Sequence, residues 1–241
     1  MNPEQSIAQL KRELVAANRI LAREDVVDAY GHVSGRHPHD QSRYFLSCSR
    51  SPALVVEDDL MEFTLDGTAI DGQGRTPYGE RFIHGAIFES RPEMHSVVHN
   101  HSHAVIPFSI TGVKLRPVVH VAGVIGEVIP VWDIRDEFGD TNMLVRTMEQ
   151  GRSMAKVGAR CSCMLLRGHG AVVAGESIKI AVMRAVYLQV NAKLQAEAMK
   201  FGEYKALSPG EIKETNEMQF SSLSLDRAWQ YFCTRAGVDV T

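Results

Sequence analysis

The sequence predicts an α/β fold, a central sheet with helices on both faces. Two observations predict it. Short runs of β-branched and apolar residues alternate with longer segments whose apolar residues recur at helical spacing. The 241-residue chain is 44% hydrophobic and 23% charged. It shows no internal repeat, so it can bury one sizeable core and reads as a single domain over residues 1–241. The same composition excludes several classes. A net charge of −3 leaves no basic footprint for nucleic acid. No run approaches the roughly 20 apolar residues of a membrane span, so no membrane association is expected. Met1-Asn2-Pro3-Glu4-Gln5 lacks the blocks of a signal peptide. Four cysteines make no disulfide framework at this length. Cys161 and Cys163 read as buried thiols, and the expected setting is a reducing, cytoplasmic one.

Residues 6–23 read as an amphipathic helix. Ser6 and Gln9 give a capping-box pattern, and Ile7, Leu10, Leu14 and Leu21 form the apolar stripe. Residues 31–36 form a loop and strand start, and strands follow over 44–48 and 61–65, with Asp66-Gly67 and Asp71-Gly72 as turns. A helix opens at Glu80, with Phe82, Ile83, Ala86 and Ile87 on its buried side, and stops at Ser90-Arg91-Pro92. Strands are then expected at His99 and over 118–121. Residues 141–156 read as helix, 161–166 and 171–173 as strands, and 176–201 as a long helix with a stop at Pro209. The tail, from about 207, is helical and less typical. Its Arg227, Trp229 and Tyr231 either close over a site or dock the tail.

The chemistry concentrates in Val97-Val98-His99-Asn100-His101-Ser102-His103 and in the later Arg167-Gly168-His169-Gly170. On a strand, residues i and i+2 share a face, which sets His99 and His101 about 7 Å apart at Cα. His169, after the apolar Met164-Leu165-Leu166, offers a third imidazole from a neighbouring strand. Three histidines with one open position suit a catalytic rather than a structural metal site. A His-x-His pair also arises by chance on strands. Glu80 sits at a helix N-terminus, where a carboxylate is favoured. It reads either as an acid/base or fourth ligand, or as a solvated helix-start glutamate. His103 is assigned to support or packing, and His37, His39 and His95 to the surface.

Gly31-His32-Val33-Ser34-Gly35-Arg36, Gly79-Glu80-Arg81-Phe82-Ile83-His84, Arg91-Pro92, Val98-His99-Asn100-His101 and Leu165-Leu166-Arg167-Gly168-His169-Gly170 occur in this order. Together they resemble the class II aldolase/adducin family over roughly residues 7–205. The resemblance implies a mainly antiparallel sheet in one α/β/α domain. It also implies a homo-oligomer, commonly a four-fold tetramer with sites at subunit interfaces. One divalent metal ion per subunit is expected on His99, His101 and His169, with Glu80 as the catalytic acid/base. Zinc, manganese, iron and cobalt all suit such ligands.

Departures from the family's sugar-phosphate pattern carry the functional reading. The family's loop asparagine is His32 here. Its Thr-Gly turn falls near Ser49-Arg50, and its Ser-Ser pair is Tyr78-Gly79. The aldolase tyrosine falls on Val121, after His120. The phosphate cradle is thus dismantled, while an arginine such as Arg50 suits a planar carboxylate. Arg36 and Arg116 are further arginines, read as structural. The expected substrate-binding residues are His32, Ser49, Arg50, His120 and Tyr231. Residues 105–111, 115–120 and 130–135 are similar to the branch that decarboxylates hydroxylated aromatic or pyridine dicarboxylates. The expected function is therefore metal-dependent, non-oxidative decarboxylation of a small carboxylate such as a dihydroxyphthalate, the metal serving as electron sink. Glu80, or a water it orients, would deliver the proton. Retro-aldol cleavage through a metal-stabilised enediolate stands second. A non-catalytic assembly module, as in adducin heads, stands third, because all three histidines and Glu80 are kept.

Overall fold

Strands that carry apolar side chains on both faces create two separate interiors on the two sides of one sheet. A computed structural model describes residues 2–72 and 74–239. Its strands are β1 (His32–Arg36), β2 (Arg43–Ser47), β3 (Leu60–Thr64), β4 (Ser96–Asn100), β5 (Val131–Trp132), β6 (Cys163–Leu166) and β7 (Gly170–Gly175). They form a seven-stranded sheet in the order β3-β2-β1-β4-β7-β6-β5. Every pairing is antiparallel except β5 with β6. The helices are α1 (Pro3–Arg23), α2 (Arg81–Ser90), α3 (Ile106–Ile110), α4 (Arg135–Phe138), α5 (Met148–Val157), α6 (Ile178–Lys200), α7 (Pro209–Gln219) and α8 (Ser222–Ala236).

Because side chains alternate along a strand, Val33, Val98, Leu165 and Val173 pack with Leu14 and Ile20 of α1, Val182 of α6, and Trp229 and Phe232 of α8. Their neighbours Val97, Met164 and Val172 face the other way, against Ile83 and Phe88 of α2 and Met154 of α5. Each fully buried large side chain contributes about 1.5–3 kcal/mol, so both layers are held by apolar burial. The single domain with helices on both faces, and its mainly antiparallel sheet, agree with the sequence reading.

Several boundaries differ, each for an identifiable reason. α1 begins at Pro3, whose fixed φ suits the first helical position. The capping box is Asn2 with Gln5, not Ser6 with Gln9, and the Ser6 hydroxyl donates to the Asn2 carbonyl. The strand expected over 118–121 is absent. Side-chain amides of α6 capture this backbone instead: Arg116 N–H donates to Gln195, Val118 N–H donates to Asn191, and Asn191 donates to the Arg116 carbonyl. A 3-10 turn over His120–Ile125 follows. The helix expected from 141 starts only at Met148, capped by Thr147. The preceding loop holds Met143 at φ +66° and commits the Val145 N–H to Glu80. Cys161 lies before β6, and only Cys163 of the pair is fully buried. Trp229 is buried against the core and docks the tail. Among the described residues, no helix is long and apolar enough to cross a membrane.

Candidate metal centre

Four donors converge at one end of the sheet. His99 is the penultimate residue of β4, and its register partners are His32 on β1 and Val172 on β7. His101 lies just past the end of β4. His169 sits in the tight connection between β6 and β7, where Gly168 takes φ +62°, a left-handed conformation that favours glycine. Gly170 lets this connection approach β4. A Cβ there would stand 1.9 Å from the Asn100 carbonyl oxygen. Glu80 occupies the N-cap position of α2 but makes no side-chain cap. Its carboxylate is therefore free to turn toward the histidines, with Oε1 accepting from Val145 N–H at 2.9 Å.

The geometry fits a single divalent ion. The ligand atoms of Glu80, His99, His101 and His169 all lie within 4.8 Å of one another. His101 Nε2 is 3.2 Å from His99 Nε2 and 3.0 Å from His169 Nε2. Glu80 Oε2 is 3.4 Å from His99 Nε2 and 3.7 Å from His169 Nε2. Tetrahedral donors about 2.1 Å from a zinc-like ion stand about 3.4 Å apart. The His99 tautomer agrees. His99 Nδ1 lies 3.2 Å from the Ala171 carbonyl, and the Met143 backbone lies close to the His169 ring. The first contact places the His99 ring proton on Nδ1, and the Nε2 atoms of the three histidines gather at a common point, the arrangement found around metal-binding histidines.

The electrostatics keep the donors in their ligating forms. Burial, then His99, pushes the His101 and His169 rings down to about 4. Burial raises the Glu80 carboxyl, but His99, His169 and the Val145 N–H outweigh it and bring Glu80 down to about 2. At neutral pH Glu80 is a carboxylate and His101 and His169 are neutral imidazoles, forms that suit a cation.

The expected substrate residues divide into two groups. His32 is against the cluster, its ring centroid 5.1 Å from that of His99. Tyr78 bridges His32 to the Ser49-Arg50 turn: its ring lies 4.5 Å from His32, and its hydroxyl donates to the Arg50 carbonyl. Ser49 is exposed, and the Arg50 guanidinium is 3.1 Å from Asp59. His120 and Tyr231 instead line a cavity of about 430 Å³ with Gln219 and Arg227, which none of the four metal-type donors lines. His101 opens onto another cavity of about 540 Å³, shared with Asp28, His103 and Lys193. Arg36 is structural: its guanidinium donates to the carbonyls of Gln41, Phe88, Arg91 and Met94.

Sequence reasoning missed two features. The backbone around Met143 and Val145 orients His169 and Glu80, which no residue type advertises. His84 is fully buried and bonded to His32 and Ser34. Its position one helical turn after Glu80 was the available signal.

Residues 12–196 match the family described as the class II aldolase and adducin N-terminal domain. The chain belongs to that family. It is 34% identical to decarboxylase tropJ of Talaromyces stipitatus, over 91% of each chain. It is 29% identical to a 3,4-dihydroxyphthalate decarboxylase of Terrabacter, over 83% of this chain and 86% of that protein. Among solved structures, L-fuculose 1-phosphate aldolase of Glaciozyma antarctica superposes with a TM-score of 0.79 at 23% identity, covering 98% of this chain and 91% of that one. This last likeness speaks for the fold alone.

Proposed function

We propose that this family member is a carbon–carbon lyase, a divalent-metal-dependent, non-oxidative decarboxylase of a hydroxylated aromatic or pyridine dicarboxylate such as a dihydroxyphthalate. The observation that carries the reading is the convergence of Glu80, His99, His101 and His169 on one point, in a chain similar over nearly its whole length to proteins named decarboxylases. His32, where the family's phosphate-binding loop has asparagine, favours a carboxylate substrate over a sugar phosphate.

His99, His101 and His169 would hold zinc, manganese, iron or cobalt, one ion per chain. The ion supplies Lewis-acid withdrawal of electron density from the substrate. The remaining work falls to the protein. Glu80 is ionised, so it acts as an acceptor that orients a water; that water gives a proton to the carbon left by carbon dioxide, and the hydroxide so formed takes a proton back from solvent. Ser49 and Arg50 meet the second carboxylate at the rim, and Arg50 must turn from Asp59 to grip it in two parallel hydrogen bonds. His120 and Tyr231 line a separate cavity, so their part in substrate binding requires a neighbouring copy in a homo-oligomer.

The test is a panel of ortho-hydroxylated aromatic dicarboxylates and unphosphorylated hydroxy-carbonyl compounds, scored for carbon dioxide and for aldehyde. Carbon dioxide from the aromatic acids, lost with chelator, is the expected result. Aldehyde release without carbon dioxide would replace the reading with retro-aldol cleavage.

A further inference from the structure

Between the sheet and α2 runs a buried polar chain that the metal-type donors do not use. Ser34 and His32 share a face of β1, two residues apart. His84 reaches down from α2 between them. His84 Nδ1 lies 2.6 Å from Ser34 Oγ, and His84 Nε2 lies 2.6 Å from His32 Nδ1. Ser34 and His84 are wholly buried, and His32 is 3% exposed. Val97, the residue paired with Ser34, brings its backbone close to the His84 ring.

Two proton directions satisfy these distances, because the Ser34 hydroxyl can donate or accept. In one of them, His84 Nδ1–H donates to Ser34 Oγ, His84 Nε2 accepts from His32 Nδ1–H, and His32 Nε2 is left bare.

We infer that Ser34 and His84 are positioning residues that fix the tautomer and ring angle of His32, presenting its Nε2 beside His99 as the acceptor for a substrate hydroxyl. This rests on the proposed decarboxylase reading and sharpens it. The site would select acids with a free hydroxyl next to the departing carboxylate, because a methoxy group has no hydrogen to offer.

The tautomer can be read without turnover. In the zinc-loaded full-length protein, nitrogen NMR of labelled histidines, assigned through His32→Ala and His84→Gln, should show His32 protonated on Nδ1 and bare on Nε2. A His32 ring protonated on Nε2 overturns the inference, whatever the activity. Turnover supplies the second arm. His84→Leu should lower kcat/KM for an ortho-hydroxylated acid about 10- to 100-fold, the usual cost of removing a partner that orients a ligating or binding histidine. It should also erase the preference over the methoxy analogue. His84→Gln, which keeps an acceptor for His32, should recover part of the loss, and His32→Ala/His84→Leu should be no worse than His32→Ala alone. Additive losses with an unchanged methoxy preference would reduce His84 to a packing residue. Should His84→Leu fail to fold, His84→Gln and Ser34→Ala carry the same comparison. Absence of carbon dioxide from the parent protein would sink the decarboxylase reading, and the NMR result alone would then decide the inference.

Discussion

Val98 and His99 are neighbours on β4, yet they point into different environments. Val98 packs into an apolar cluster with Leu14, Ile20 and Val182, the buried polar Asn18, Asn191 and Gln195 lying on the helices of that side. His99 enters a layer where apolar packing stops at one end and polar groups take over: Glu80, His84, His32 and Ser34, all buried. Buried polar groups cost free energy unless they are hydrogen-bonded. Here each has a defined partner: Val145 N–H for Glu80, the Ala171 carbonyl for His99, and the Ser34–His84–His32 chain. One face of the sheet stabilises the fold, and the other spends part of that stability on holding a site rigid.

If the comparison is right, substitutions on the two faces should have opposite signatures. The largest effect is expected for His99→Ala. It should abolish stoichiometric metal binding and activity together, measured by metal analysis of the purified protein. Next is Glu80→Gln, which keeps an acceptor for Val145. Metal should stay bound while kcat falls about 10²- to 10⁴-fold, the scale of a lost acid/base group, and full activity would remove Glu80 from that role. Leu165→Ala, on the apolar face, should cost about 2–5 kcal/mol in urea unfolding through the cavity it leaves. The kcat of the folded fraction should be little changed.

Acid should act through the polar face. His84, His101 and His169 have folded values of about 3, 4 and 4, below the ordinary 6.5. Between those values the unfolded chain binds more protons than the folded one, so stability rises with pH. Glu80, lowered to about 2 from 4.5, contributes stability present above 4.5 and lost as pH falls through about 2, which is the same sign. The Tm of the metal-free protein should therefore fall as pH is lowered from about 7 toward 4. A flat profile over that range would contradict the buried, neutral state of these rings. The smallest effect is expected at the exposed rim: Arg50→Ala should raise KM for a dicarboxylate with little change in Tm, and an unchanged KM would remove Arg50 from the substrate site.

How much of this was legible in the sequence follows from what residue types can encode. The pairing of His99 with His101 was readable because a two-residue spacing is local, and His169 because it follows the apolar run that forms β6. The Glu80 helix was readable because a stop at Arg91-Pro92 follows it. The order of the strands was not legible in the sequence; the family resemblance implied only a mainly antiparallel sheet, and the order is seen in the structure. The mistaken strand at 118–121 shows why such readings fail. Val118-Val119 has strand chemistry, but Asn191 and Gln195 on a distant helix supply its hydrogen bonds. The loop at 141–147 was misread as helix because its Val145 N–H serves a carboxylate far away in sequence. His120 and Tyr231 were expected to bind substrate with His32, Ser49 and Arg50, whereas within one chain they line a different cavity.

The most direct test of the central claim is the rate of carbon dioxide release against metal added to chelator-stripped protein, with an ortho-hydroxylated aromatic dicarboxylate as substrate. The account predicts no release without metal, and a rate that rises linearly with manganese or zinc and saturates at one ion per chain. Undiminished release from metal-free protein, or one ion bound per chain with no release from any such acid, would contradict it.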